Sequence, residues 1–151
     1  MTRLPRGLKN NNPLNIRRGT SSWQGLKERQ TDPDFCQFKT IEYGFRAAFR
    51  LLHTYHYTLG LHTLRDIINR WAPPAENNTS AYLDTVTGLV QLYYGRPVGA
   101  HTLLPVPGDD RRLWCAIVRA MFAVECGRGW AEMPSTANEV AEGWRMAFGR
   151  K

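Results

Sequence analysis

No stretch of this chain holds the roughly 20 consecutive apolar residues that span a bilayer, so membrane insertion through a helix is not expected. The N-terminus, Met1-Thr2-Arg3-Leu4-Pro5-Arg6-Gly7, is basic but lacks the apolar stretch of a secretory signal. Made in the cytoplasm, such a protein needs export machinery that reads no signal peptide if it acts elsewhere. Cysteine is scarce: Cys36, Cys115 and Cys126 are odd in number and fit no zinc spacing. They read as buried free thiols, with one disulfide as the alternative in an oxidising compartment. His53, His56, His62 and His101 have no ligand spacing backed by carboxylates, so no metal site is expected, and nothing calls for a cofactor. No serine or cysteine sits in a nucleophile motif. Gly127-Arg128-Gly129 is too short for a phosphate loop, and no Lys-Ser/Thr follows it. Internal repeats and low-complexity tracts are absent.

What remains is an ordinary globular composition. A chain of 151 residues suits one domain, 1–151, around one hydrophobic core. Its formal net charge of +7 biases partners toward polyanions. Nucleic acid, anionic lipid headgroups and the carboxylate-rich bacterial wall all qualify. The basic residues are scattered rather than gathered in a run, so charge selects none of these and serves solubility equally well.

The hydrophobic pattern divides the chain. Residues 1 to about 40 are polar and irregular, with turn chemistry at Asn10-Asn11-Asn12-Pro13 and Asp32-Pro33-Asp34. Phe35-Cys36-Gln37-Phe38 alternates like a short strand. From Ile41, apolar residues recur at helical spacing through Phe45, Ala48, Leu52, Tyr55 and Leu59, and Gly60 ends the run. Thr63 caps a second helix carrying Leu64, Ile67, Ile68 and Trp71 inward, which Pro73-Pro74 stops. Caps in Asn77-Asn78-Thr79-Ser80 open a third helix with Leu83, Val86, Leu89 and Val90 as its stripe. Residues 95–108 read as a connection. Asp109 and Asp110 favour the start of a fourth helix with Leu113, Ile117, Met121 and Val124 inward. Ser135 caps a last one with Val140, Trp144 and Ala147. The expected fold is therefore mainly α, about five helices, with a small irregular or β-containing N-terminal lobe.

Two carboxylates stand out. Glu125 lies at the edge of the fourth helix's apolar face, just before Gly127. Half-buried there, it would lose hydration, hold its proton near neutral pH and suit the acid step of a glycosidase; the plain alternative is a solvated helix end. Glu76 sits in a proline-stiffened loop, and its plain alternative is a helix-start carboxylate that the dipole stabilises. Among many aromatic residues, most of them at core spacing, Tyr82 follows the Asn/Thr segment at a helix start and can face a cleft.

The motifs Asn11-Asn12-Pro13-Leu14-Asn15-Ile16, Trp23-Gln24-Gly25, Phe38 and Tyr43-Gly44-Phe45-Arg46-Ala47 resemble those of a family of phage-associated and secreted proteins. The run from Ile67 through Trp71-Ala72-Pro73-Pro74-Ala75-Glu76-Asn77-Asn78-Thr79 to Tyr82 continues the resemblance, which spans roughly residues 7 to 90. Members include type VI secretion effectors that hydrolyse peptidoglycan glycan strands and resemble the lysozyme superfamily. A more distant likeness is to bacterial N-acetylglucosaminidases, which carry a Glu-Ser-Gly helix end, an Asn-Leu-Phe-Gly-Ile segment, Trp-x-Gly and a helix-starting Tyr. The last three have counterparts here in order, whereas Glu125-Cys126-Gly127 comes near the other end, as a circular permutation would produce. Cys126 replaces Ser, and Leu14-Asn15 replaces Phe-Gly.

The resemblance implies a lysozyme-like fold and cleavage of β-1,4 bonds by an N-acetylglucosaminidase or muramidase. Glu125 would be the acid and Glu76 the second carboxylate. Tyr82 would stack on or steer the sugar, with Asn12, Asn15 and Trp23 as substrate-binding residues or plain turn-makers. It also implies an antibacterial toxin acting in a target's periplasm, with an immunity protein occluding its cleft and no nucleic-acid partner. The other class of reading is a non-catalytic wall- or nucleic-acid-binding phage structural protein.

Overall fold

The computed structural model describes residues 3–149. Its elements are α1 (Arg6–Lys9), α2 (Ile41–His53), a π-helical turn (Thr54–Thr58), α3 (Leu64–Trp71), α4 (Thr79–Tyr94), a 3₁₀ turn (Pro107–Asp109), α5 (Arg111–Cys126), α6 (Arg128–Ala131) and α7 (Thr136–Phe148). The fold is mainly α, as the periodicity predicts. Of the expected β character, only two isolated antiparallel bridges form among the described residues, Arg17 with Phe35 and Leu26 with Phe38. The Gln30 side-chain amide instead donates to the Gln37 carbonyl and accepts from the Gln37 N–H, taking both backbone groups that a ladder would use.

Local chemistry sets the helix starts. Thr40, Thr63, Asn78 and Asp110 each accept a backbone N–H of the first turn from their own side chain, each such cap contributing about 1 kcal/mol. Ser135 precedes α7 but makes no side-chain cap, a correction to the expected one. Its backbone there is already helical, φ −79° and ψ −18°, rather than the extended conformation from which a cap side chain normally reaches the first-turn N–H groups. The first long helix also departs from a regular pattern. At Thr54 it widens, with Leu59 N–H bonding Thr54 C=O at 3.1 Å. Within this turn His56 is buried, its Nε2 2.7 Å from the Leu104 carbonyl oxygen, and Tyr55 lines a cleft one helical turn after Leu51.

The core gathers around α5, whose Trp114, Ile117, Val118, Ala120 and Met121 are inaccessible to solvent. α4 and α7 pack on it, α2 lies along α7, and the N-terminal segment contributes Leu14, Ile16 and Phe38. Cys36 and Cys126 are buried and Cys115 partly so, all three as free thiols. Among the described residues, no helix is long and apolar enough to cross a membrane.

Candidate active site

A cleft of about 540 Å³ opens between the N-terminal lobe and the ends of α2 and α3. The lobe lends Asn15, Arg17, Trp23 and Phe35; the helices and the loop after them lend Tyr55, Arg70, Trp71, Glu76 and Asn77. Glu125 reaches it from the last turn of α5. That helix stops at Gly127, whose φ of +114° is closed to most side chains, so Glu125 is held at a defined end rather than a fraying one.

The carboxylate is gripped from two directions. Asn15 Nδ2 donates to Oε1 at 2.8 Å, and Tyr82 Oη donates to Oε2 at 2.8 Å. Asn15 reaches Glu125 because its own backbone is left-handed, φ +53°, a conformation asparagine tolerates better than most residues. Burial pushes the Glu125 carboxyl above the ordinary glutamate value. The bonds from Asn15 and Tyr82, a weaker contact from Trp71 and the charge of Arg17 pull the other way without cancelling it. Burial, together with the adjacent Glu125 charge, also holds the Tyr82 phenol well above its usual range, so it stays a neutral donor. The Asn15 oxygen Oδ1 is buried without a partner. On rotation, the same amide offers an acceptor to a protonated Glu125.

α1 seals the back of this site. A Cβ on Gly7 would lie 2.8 Å from both the Asn12 carbonyl oxygen and Cys126 Sγ, so α1 approaches the end of α5 more closely than any side chain allows. The segment beginning at Asn12 thus meets Glu125-Cys126-Gly127 in space, although more than a hundred residues separate them.

The other candidates fall in different places. Glu76 lies on the same cleft but is 65% exposed, with Oε1 3.9 Å from Arg17 Nη2. Its loop is stiff: Thr79 Oγ1 bonds the Ala72 carbonyl, and Glu76 N–H and Asn77 Nδ2 both bond that of Pro73. Trp23 is half-buried on the cleft wall. Tyr82 reaches the carboxylate and otherwise lines a second hollow of about 400 Å³ with Asn78, Ala81, Thr85 and Val124; Asn77 borders both spaces. Of the two expectations for Asn12, substrate contact or turn-maker, its surroundings correct the first and fit the second. It is fully buried, with its amide donating to the Ile16 and Cys36 carbonyls and accepting from Ile16 N–H, and it builds the turn that presents Asn15.

Periodicity assigns Trp71 and Tyr55 to the core, yet both line the cleft, as do Arg17, Arg70 and Phe35, which sequence reasoning passes over. The prolines after Trp71 were the available signal, since a helix that stops beside a stiff loop exposes its last turn. Among the described residues, no three His, Cys, Asp or Glu side chains gather into a metal-binding group.

Protein P5 of Pseudoalteromonas phage PM2 is 35% identical over 146 residues, covering 95% of this chain and 82% of the relative. The chain belongs to the Protein P5 family. No protein-family model matches it. The stretch shared with P5 is long enough to include nearly all of the lobe, the helices and both cleft carboxylates of this family member.

Proposed function

We propose that this protein hydrolyses β-1,4 glycosidic bonds in the glycan strands of bacterial peptidoglycan, with Glu125 as the general acid. The observation that carries the reading is a desolvated glutamate with raised proton affinity, held by two hydrogen bonds and opening into an aromatic-walled cleft. A protonated Glu125 delivers its proton to the glycosidic oxygen as the bond from that oxygen to C1 breaks. Trp23 and Trp71 offer flat rings on which sugar faces stack, and Phe35 and Tyr55 complete the aromatic wall. Asn15 and Tyr82 keep the acid in one orientation. Tyr82 then acts through Glu125, and a lysozyme-like arrangement is part of the same proposal.

The second group is open to two chemistries. Glu76, the other carboxylate on the cleft, would activate water or stabilise developing positive charge. Alternatively, the acetamido group of an N-acetyl sugar attacks C1 itself and leaves Glu125 as the one essential carboxylate.

A relative encoded by a phage favours a phage-borne wall enzyme over a type VI secretion effector. Both routes end in the periplasm of a bacterium. An effector would in addition have an immunity protein that occludes the cleft. The test is release of soluble, dye-labelled fragments from purified sacculi. Release supports hydrolysis; tight binding to sacculi without release replaces the enzyme with a wall-binding structural protein.

A further inference from the structure

Two arginines face the cleft, and the acid step uses neither. Arg17 comes from the N-terminal lobe and Arg70 from the last turn of α3. The Arg17 guanidinium lies 5.3 Å from the centroid of the Phe35 ring, and that of Arg70 lies 5.7 Å from the centroid of Tyr55. Seated over a ring, a guanidinium is oriented while its in-plane N–H groups remain free to fork onto a carboxylate. Those N–H groups are largely unspent. Arg17 pairs with Glu76 at 3.9 Å, both side chains mostly exposed, and Arg70, which also favours the ionised Tyr55 hydroxyl by a side-chain bond, forms no ion pair among the described residues. A cleft whose one buried acid is Glu125 therefore carries two oriented cations toward its occupant.

We propose that Arg17 and Arg70 bind carboxylates of the substrate, so that the cleft selects a carboxylate-bearing glycan over a neutral chain of the same linkage. The inference rests on the glycan-binding reading of the cleft and adds the chemistry that discriminates between glycans. The lactyl carboxylate of N-acetylmuramic acid is the group in question, since N-acetylglucosamine polymers have none.

The test compares a tetrasaccharide of alternating N-acetylglucosamine and N-acetylmuramic acid, its methyl ester and neutral chitotetraose. Affinity is measured by calorimetry on Glu125→Gln, and kcat/KM on the protein with Glu125 intact. The acidic tetrasaccharide is expected to bind about tenfold tighter than chitotetraose at low salt, the worth of one charge-assisted bond. Arg70→Gln or Arg17→Gln each shrinks that ratio several-fold, and the methyl ester already shows the loss in the parent protein. In the double variant, ester and acid bind alike. An unchanged ratio, an equal loss on both ligands or failure of either glycan to bind overturns the proposal. Cleavage of both glycans at equal kcat/KM removes the selectivity and leaves the hydrolase standing. Selective binding without any cleavage retains the arginines and removes the hydrolase.

Discussion

Replacing Tyr82 by Phe removes one oxygen and keeps the ring that packs against the core. That oxygen donates to Glu125 Oε2 at 2.8 Å and favours the ionised carboxylate. A hydrogen bond to a charged group contributes about 1.5 kcal/mol at the lower end of its range, which corresponds to about one pH unit. Its loss raises the proton affinity of Glu125 further. A general acid works only while protonated, so activity falls as pH rises through its pKa. The alkaline limb of kcat/KM for fragment release from sacculi should accordingly move up by about one pH unit in Tyr82→Phe. The rate on the acid side should change less than about tenfold, since the group that delivers the proton is still present. A limb that stays in place, or moves to lower pH, refutes the argument: either another group titrates, or the phenol does not favour the carboxylate.

Three further outcomes follow from the same geometry. Asn12→Ala leaves the Cys36 carbonyl and the Ile16 N–H without their buried partner and removes one of two donors to the Ile16 carbonyl, and should cost about 2–4 kcal/mol in urea unfolding while displacing Asn15 and lowering activity. Glu76→Gln should reduce kcat less than about tenfold if the substrate's acetamido group attacks, and by about a hundredfold or more if Glu76 activates water; the exposure of Glu76 favours the smaller effect. Asp32 accepts bonds from Arg6, Asn10 and the Asp34 and Phe35 backbone, and chiefly the Arg6 guanidinium holds its carboxyl well below the usual carboxylate range. A depressed carboxyl pKa stabilises the fold above the unfolded value and loses that contribution as pH falls below about 4. Denaturant midpoints should therefore drop there in the wild type and more shallowly in Asp32→Asn.

What could be read from the chain was whatever chemistry keeps local. Thr63, the Asn77-Asn78-Thr79-Ser80 run and the Asp109-Asp110 pair announce their helices because a helix start is signalled within a few residues, and the caps themselves fall on Thr63, Asn78 and Asp110. Glu125 was legible as the edge of an apolar face followed by a glycine. Asn15 and Tyr82 took substrate-binding roles beside it only through the family resemblance, and that both grip the carboxylate itself was not legible: Asn15 lies 110 residues away and Tyr82 lies 43, distances over which spacing carries no signal. Asn12 misleads for a related reason. An asparagine in a polar turn looks available to a ligand, and only the fold shows its amide spent on Ile16 and Cys36. The widening at Thr54 is equally invisible, because the apolar spacing runs on through Tyr55 and Leu59 as it would in a regular helix. The caps concern hydrogen bonds made nearby; the site depends on loops meeting a helix end.

The most direct test of the central claim is a mass-spectrometric comparison of fragments released from sacculi by wild type and by Glu125→Gln. Wild type should release disaccharide peptides whose reducing-end sugar identifies the bond cut. Glu125→Gln, with an unchanged circular dichroism spectrum, should release about a thousandfold less. Equal release by the two proteins contradicts Glu125 as the acid, and release by neither contradicts the hydrolase itself.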